Sequence, residues 1–131
     1  MSNSYILVVD DNYGVCMLLS EFLKREGYAV KYTQDGCEAL EIIKEKKPSL
    51  VLVDLRMPGI SGLEVIAKLK DLAPAAESIL MTAYFDENVI QKKINKGIMK
   101  HYILKPFDLL KLGASIKELL QNNNKKCIWI T

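Results

Sequence analysis

The apolar positions gather into five short runs, Tyr5–Val9, Ala29–Thr33, Leu50–Val53, Glu77–Met81 and His101–Leu104, separated by longer stretches where apolar residues recur every three or four positions. Three runs are almost wholly apolar, which suits strands buried on both faces, and the longer period between them suits helices with one buried side. That period predicts helices over Tyr13–Glu26, Gly36–Lys46, Gly62–Leu72, Asp86–Lys96 and Leu109–Gln121. Gly27, Pro48, Pro74 and Gly97 stand at their ends, where residues that cannot continue a helix belong. Strands alternating with helices of this length imply parallel βαβ units with right-handed crossovers, an α/β protein. In such sheets ligands gather outside the carboxyl ends of the strands, where strand order reverses, so the residues just after each strand carry the most information.

The first helix has an additional feature. Val15, Cys16, Leu18, Leu19, Phe22 and Leu23 cover an arc of about 160°, wider than the ~100° of an ordinary core-facing stripe. Either the helix packs deeply or part of it faces a partner.

Composition narrows the class. The 131 residues fit one domain, and with half of them apolar and 26% charged the chain is globular and not disordered. No apolar run approaches the ~18–20 residues that span a bilayer. The start, Met1-Ser2-Asn3-Ser4, lacks the basic opening of a secretory signal, so the expected compartment is the cytoplasm. Three cysteines, Cys16, Cys37 and Cys127, share no metal-type spacing and read as reduced thiols. Residues 1–65 carry 7 Lys/Arg against 10 Asp/Glu, and residues 66–131 carry 11 against 6. The basic excess is spread through helical segments without interleaved aromatics, which fits a solvated surface better than direct nucleic-acid binding. There is no internal repeat; residues 122–126 read as a frayed helix end, followed by the brief Cys127-Ile128-Trp129-Ile130.

The strand ends hold the chemistry. The first run ends in Asp10-Asp11, the third in Asp54, the fourth in Thr82 and the fifth in Lys105-Pro106. Three crowded carboxylates resist full ionisation unless a cation joins them. Mg²⁺ suits such a site, because it takes oxygen ligands and is commonly held by one or two carboxylates with waters. Lys105 adds a point charge suited to a phosphate oxygen. A carboxylate can accept a phosphoryl group as an aspartyl phosphate, and cations around it stabilise the charge of the transferring group. Taken singly, each residue has a plainer role: Asp11 or Asn12 as a helix cap, Asp54 in a turn with Pro58-Gly59, Thr82 as a cap, Lys105 as an exposed surface charge. Coincidence at the ends of four strands favours the joint reading.

These residues sit in Val8-Val9-Asp10-Asp11, in the block from Val51 through Asp54 and Met57-Pro58-Gly59 to Gly62, in Met81-Thr82-Ala83 and in Lys105-Pro106-Phe107. The blocks resemble the signatures of two-component response-regulator receiver domains, over about Tyr5 to Leu120. The resemblance implies a flavodoxin-like (βα)5 three-layer sandwich with a parallel five-stranded sheet of order 2-1-3-4-5, filling residues 1–121 and leaving 122–131 as a short tail. It implies Asp54 as phosphoacceptor, with Lys105 and Thr82 at the phosphoryl group. Mg²⁺ (with Mn²⁺ as a substitute) would be held by Asp10, Asp11, Asp54 and the backbone carbonyl of Arg56. It further implies a cis bond before Pro106 and a switch pair of Thr82 and Tyr102. The implied activity is self-phosphorylation from phosphohistidine or small phosphodonors, and autodephosphorylation, without ordinary enzymatic turnover.

Asp10-Asp11-Asn12-Tyr13-Gly14, Leu18-Leu19, Glu26-Gly27-Tyr28 and Thr82-Ala83-Tyr84 are similar to the single-domain receiver of the sporulation phosphorelay. That likeness implies a docking face of Gly14, Val15, Leu18, Pro106 and Phe107 for a histidine kinase or a histidine phosphotransferase, consistent with the wide arc of the first helix. No membrane partner is implied, and the expected state is a monomer or a weak phosphorylation-dependent dimer. Two departures stand out: Gly97-Ile98 in place of Gly-Ala, and Tyr102 in place of the relay's histidine. Arg56 and Tyr84 flank the acceptor and would tune hydrolysis. The alternative is a receiver segment of a larger response regulator, such as a transcription factor, acting by phosphorylation-dependent binding. A Mg²⁺ phosphatase with an aspartyl nucleophile would need a second carboxylate two residues on, where Arg56 stands.

Overall fold

A computed structural model describes residues 4–83, 92, 101–121 and 129–130. Its elements are β1 Ile6–Val9, α1 Tyr13–Arg25, β2 Val30–Thr33, α2 Gly36–Glu45, β3 Leu50–Asp54, α3 Gly62–Leu72, β4 Glu77–Thr82, β5 Tyr102–Leu104, α4 Leu109–Gln121 and β6 Trp129–Ile130. The expected strands and four of the five expected helices form within about a residue of their predicted bounds. The predicted helix Asp86–Lys96, together with Tyr84 and Gly97-Ile98, lies outside the described residues, apart from Lys92, which is helical.

All strands run parallel in the order β2-β1-β3-β4-β5-β6. The five expected strands keep the expected order, and the sheet gains a sixth, short strand that pairs Trp129 with Tyr102 and Ile130 with Ile103. Alternation along the strands divides the core into two layers. Ile6, Val8, Leu50, Leu52, Ile79 and Met81 face α1 and α4 through Leu19, Leu23, Leu112 and Ile116. Leu7, Val9, Val51, Val53 and Leu80 face α2 and α3 through Ala39, Ile43, Val65, Ile66 and Leu69. β1 and β3 are buried throughout, which explains their uninterrupted apolar runs. β2 lies at the edge and exposes Lys31 and Tyr32, the polar pattern of an edge strand.

Helix starts are fixed by side chains. Asn12 caps α1 by accepting from the Val15 N–H, Asp35 caps α2 through the Cys37 and Glu38 N–H groups, and Ser61 forms a reciprocal capping box with Glu64. After α1 the chain turns through Gly27 at φ 98°, a left-handed conformation that glycine adopts without strain. The result is a doubly wound, flavodoxin-like sandwich whose strand order reverses between β1 and β3. The carboxyl ends of those two strands therefore border a crevice.

Candidate functional site

The crevice brings together the residues the strand ends supplied. Asp10 leaves the end of β1 with no exposed surface. Its Oδ1 accepts the Asn12 N–H at 2.9 Å, and its Oδ2 lies 2.7 Å from the Lys105 ammonium. Asp54, the last residue of β3, is 3.2 Å from the same ammonium through Oδ1. Carboxylate oxygens of Asp10, Asp11 and Asp54 all lie within 4.8 Å of one another. Lys105 reaches them because β5 runs beside β4: the Lys105 N–H donates to the Thr82 carbonyl at 2.8 Å, setting its side chain across the strand ends. The Lys105–Pro106 bond is cis, as the resemblance implied. Asp54, Arg56, Thr82, Ala83 and Lys105 line an open cleft of about 280 Å³.

Electrostatics follow from this crowding. Burial pushes the Asp54 carboxyl above its ordinary range, the Asp10 charge adds to that, and Lys105 pulls it back only in part. Burial alone would lower the Lys105 ammonium, but its bonds to Asp10 and Asp54 outweigh burial and leave it raised. One ammonium thus pairs with two of three clustered carboxylates, and the excess of negative oxygen atoms matches what a hard divalent cation requires.

The plainer readings divide. Asn12, not Asp11, caps α1. Lys105 is not a free surface charge, since its side chain is 21% exposed and ion-paired twice. Thr82, the last residue of β4, and Tyr102, the first of β5 and paired with Leu80, are both buried. Of the wide apolar arc on α1, Cys16, Leu19 and Leu23 are buried in the core, Val15 and Phe22 are half-buried, and Leu18 stands 51% exposed. Gly14, one turn before Leu18, and Pro106 are also exposed, and Phe107 packs with Val15 against the α1–α4 core.

Two supporting residues were not singled out for the site by sequence pattern. Gly62 opens α3 so close to the end of β3 that a side chain there would run into the Asp54 carbonyl oxygen, with the carbonyl carbon 2.9 Å away. The buried Cys16 thiol donates to the Asp10 carbonyl at 3.2 Å. The first has a trace in sequence, a glycine at a helix start where a cap residue precedes it; the second is a contact between two elements and has none.

A parallel doubly wound sheet with a carboxylate cluster, an ammonium and a hydroxyl at its switch point defines a class of signalling domain. Residues 6–117 match the response regulator receiver domain family, and the chain belongs to it. Sporulation initiation phosphotransferase F of Bacillus subtilis (strain 168) is 37% identical over 120 residues, covering 92% of this chain and 96% of that protein. Transcriptional regulatory protein ZraR of Klebsiella oxytoca is 36% identical over 115 residues, 88% of this chain but 26% of that protein, so the chain spans about a quarter of ZraR's length. Among solved structures, response regulator TrrA of Thermotoga maritima in complex with Mg²⁺ and BeF superposes with a TM-score of 0.77 at 35% identity, covering 88% of this chain and 98% of that one. The chain is a receiver domain of two-component signalling. No helix among the described residues is long and apolar enough to cross a membrane.

Proposed function

We propose that Asp54 accepts a phosphoryl group from a phosphohistidine on a histidine kinase or a histidine phosphotransferase. The observation that carries this reading is the Lys105 ammonium lying against both Asp10 and Asp54 at the β1–β3 switch point. Asp10, Asp11, Asp54 and the Arg56 backbone carbonyl would hold Mg²⁺, or Mn²⁺ in its place, and the ion would neutralise charge on the phosphoryl oxygens. An Asp54 carboxylate oxygen forms the new P–O bond as the P–N bond to the donor imidazole breaks, and the electron pair leaves with the nitrogen. Lys105 offsets part of the cost of burying the Asp54 carboxylate, and its ammonium then turns to a phosphoryl oxygen. The Thr82 hydroxyl, at the end of the neighbouring strand, donates to another, and Tyr102, on the adjoining β5, completes a two-state switch.

Gly14, Val15, Leu18, Pro106 and Phe107 form the docking face for the helical partner, supported by the exposed Leu18 on an otherwise core-packed arc. The function follows as a cytoplasmic phosphoryl carrier or switch. A second reading, a receiver segment of a larger regulator, is favoured by the similarity to a quarter of ZraR. Phosphotransfer profiling against the histidine kinases and phosphotransferases of the source organism separates them. Transfer onward or back to a histidine supports the carrier; phosphorylation followed only by binding to an output partner supports the switch. Failure to take a phosphoryl group from any of them contradicts both.

A further inference from the structure

We infer that Gln34 is a positioning residue for the metal-holding loop between β1 and α1, an assignment that rests on the proposed Mg²⁺ site. Gln34 belongs to the β2–α2 connection, and its Nε2 donates to the Asp11 carbonyl at 2.9 Å, across 23 positions of sequence. Its neighbours anchor it on both sides. The buried Thr33 accepts the Asp10 N–H through its carbonyl at 3.2 Å and bonds Glu38 through its hydroxyl. Asp35 is the N-cap of α2, bonding the Cys37 N–H at 2.7 Å. The Gln34 amide is therefore presented from a fixed stretch of backbone.

Its target is one peptide unit held at both ends. The carbonyl of the Asp11–Asn12 peptide accepts from Gln34, and the N–H of the same peptide donates to Asp10 Oδ1 at 2.9 Å. The orientation of that plane sets the direction in which the Asp11 side chain leaves the backbone, and it also aims the N–H that orients the Asp10 carboxylate. Asp10 is tied from every other side, by Thr33, the Cys16 thiol and Lys105, and Asn12 is tied as the cap of α1. Asp11 is exposed and lies between them. Gln34 closes the loop at the point where its peptide could otherwise rotate, which is the part second-sphere groups play around metal ligands.

The test is a calorimetric Mg²⁺ titration of the full chain as wild type, Gln34→Ala and Gln34→Met; methionine keeps the length and removes the donor. Both variants should weaken Mg²⁺ binding roughly 3- to 10-fold, the range of one hydrogen bond reporting on a metal site. Their melting temperatures without metal should match wild type, because the bond is at the surface. In ¹H–¹⁵N spectra of the metal-free protein the Asn12 amide should shift in both variants, since it belongs to the released peptide. With acetyl phosphate, the Mg²⁺ concentration for half-maximal phosphorylation should rise by the same factor while the rate at saturating Mg²⁺ stays at the wild-type value. Binding within two-fold of wild type, an unmoved Asn12 resonance, or a slower rate at saturating Mg²⁺ would overturn the assignment. Wild-type protein that fails to bind Mg²⁺ would instead overturn the metal site on which it rests.

Discussion

Replacing Lys105 by methionine removes the ammonium while keeping most of the side chain's volume. Asp10 has no exposed surface and Asp54 very little, so neither carboxylate can recover hydration in place of the lost ion pairs. Two unit charges at the 4.8 Å outer limit of this cluster repel by about 3.5 kcal/mol at an effective dielectric near 20. Proton uptake limits the cost: Asp54, already raised by burial and by Asp10, takes the proton first. The expected loss of stability at neutral pH without metal is therefore roughly 2–4 kcal/mol, in line with breaking a buried pair from one side. The loss should shrink as pH falls through the raised Asp54 titration, because a protonated carboxyl no longer repels its neighbour. Saturating Mg²⁺ should also restore much of it, since the ion binds the same oxygens in the folded state. Urea denaturation of both proteins, with EDTA and with Mg²⁺, measures each quantity directly. A cost below about 0.5 kcal/mol in EDTA, or one that is the same at acid pH and in Mg²⁺, would refute the picture of a charge-strained site held by one ammonium.

Gly62→Ala forces a methyl group into the Asp54 carbonyl; it should lower stability by about 1–3 kcal/mol and slow acetyl phosphate labelling as well, both read on the same sample. Ser20→Ala should be neutral or stabilising by up to about 1 kcal/mol in thermal or urea melts, because the buried Ser20 hydroxyl has no hydrogen-bond partner among the described residues; a clear loss would mean the hydroxyl is bonded. Leu18→Ala, at a half-exposed position, should change stability by less than about 0.5 kcal/mol and slow transfer from a kinase far more than from acetyl phosphate. Equal slowing with both donors would remove Leu18 from the docking face.

The strands were legible because burial on both faces leaves little room for polar residues: every position of β1 and β3 is buried, and up to the terminal Asp54 both read as unbroken apolar runs. The helices were legible from their period and from the Gly27, Pro48 and Pro74 that follow them, whereas the caps Asp35 and Ser61 emerged only with the structure. The carboxylates and ammonium of the candidate site were legible for a topological reason, since parallel strands deliver their terminal residues to one edge. What stayed hidden depends on contacts between distant loops. Gln34 gives no signal of its reach to Asp11, and Cys16 reads as one more apolar position until its thiol is seen against the Asp10 carbonyl. The two-residue β6 is too short for any periodicity and is defined by its pairing with β5. Asn12 and Asp11 were interchangeable as caps until the geometry placed the Asn12 side chain on the Val15 N–H.

The central claim is that Asp54 is the phosphoryl acceptor, and the most direct measurement is acetyl phosphate treatment with Mg²⁺ followed by intact-mass and peptide-level mass spectrometry. The wild-type chain should gain one phosphoryl group, located on the peptide containing Asp54 and lost in alkali, with none gained in EDTA. The Asp54→Asn protein should gain nothing while remaining folded. A modified Asp54→Asn protein, or a folded wild type that stays unmodified with donor and Mg²⁺ in excess, would contradict the account.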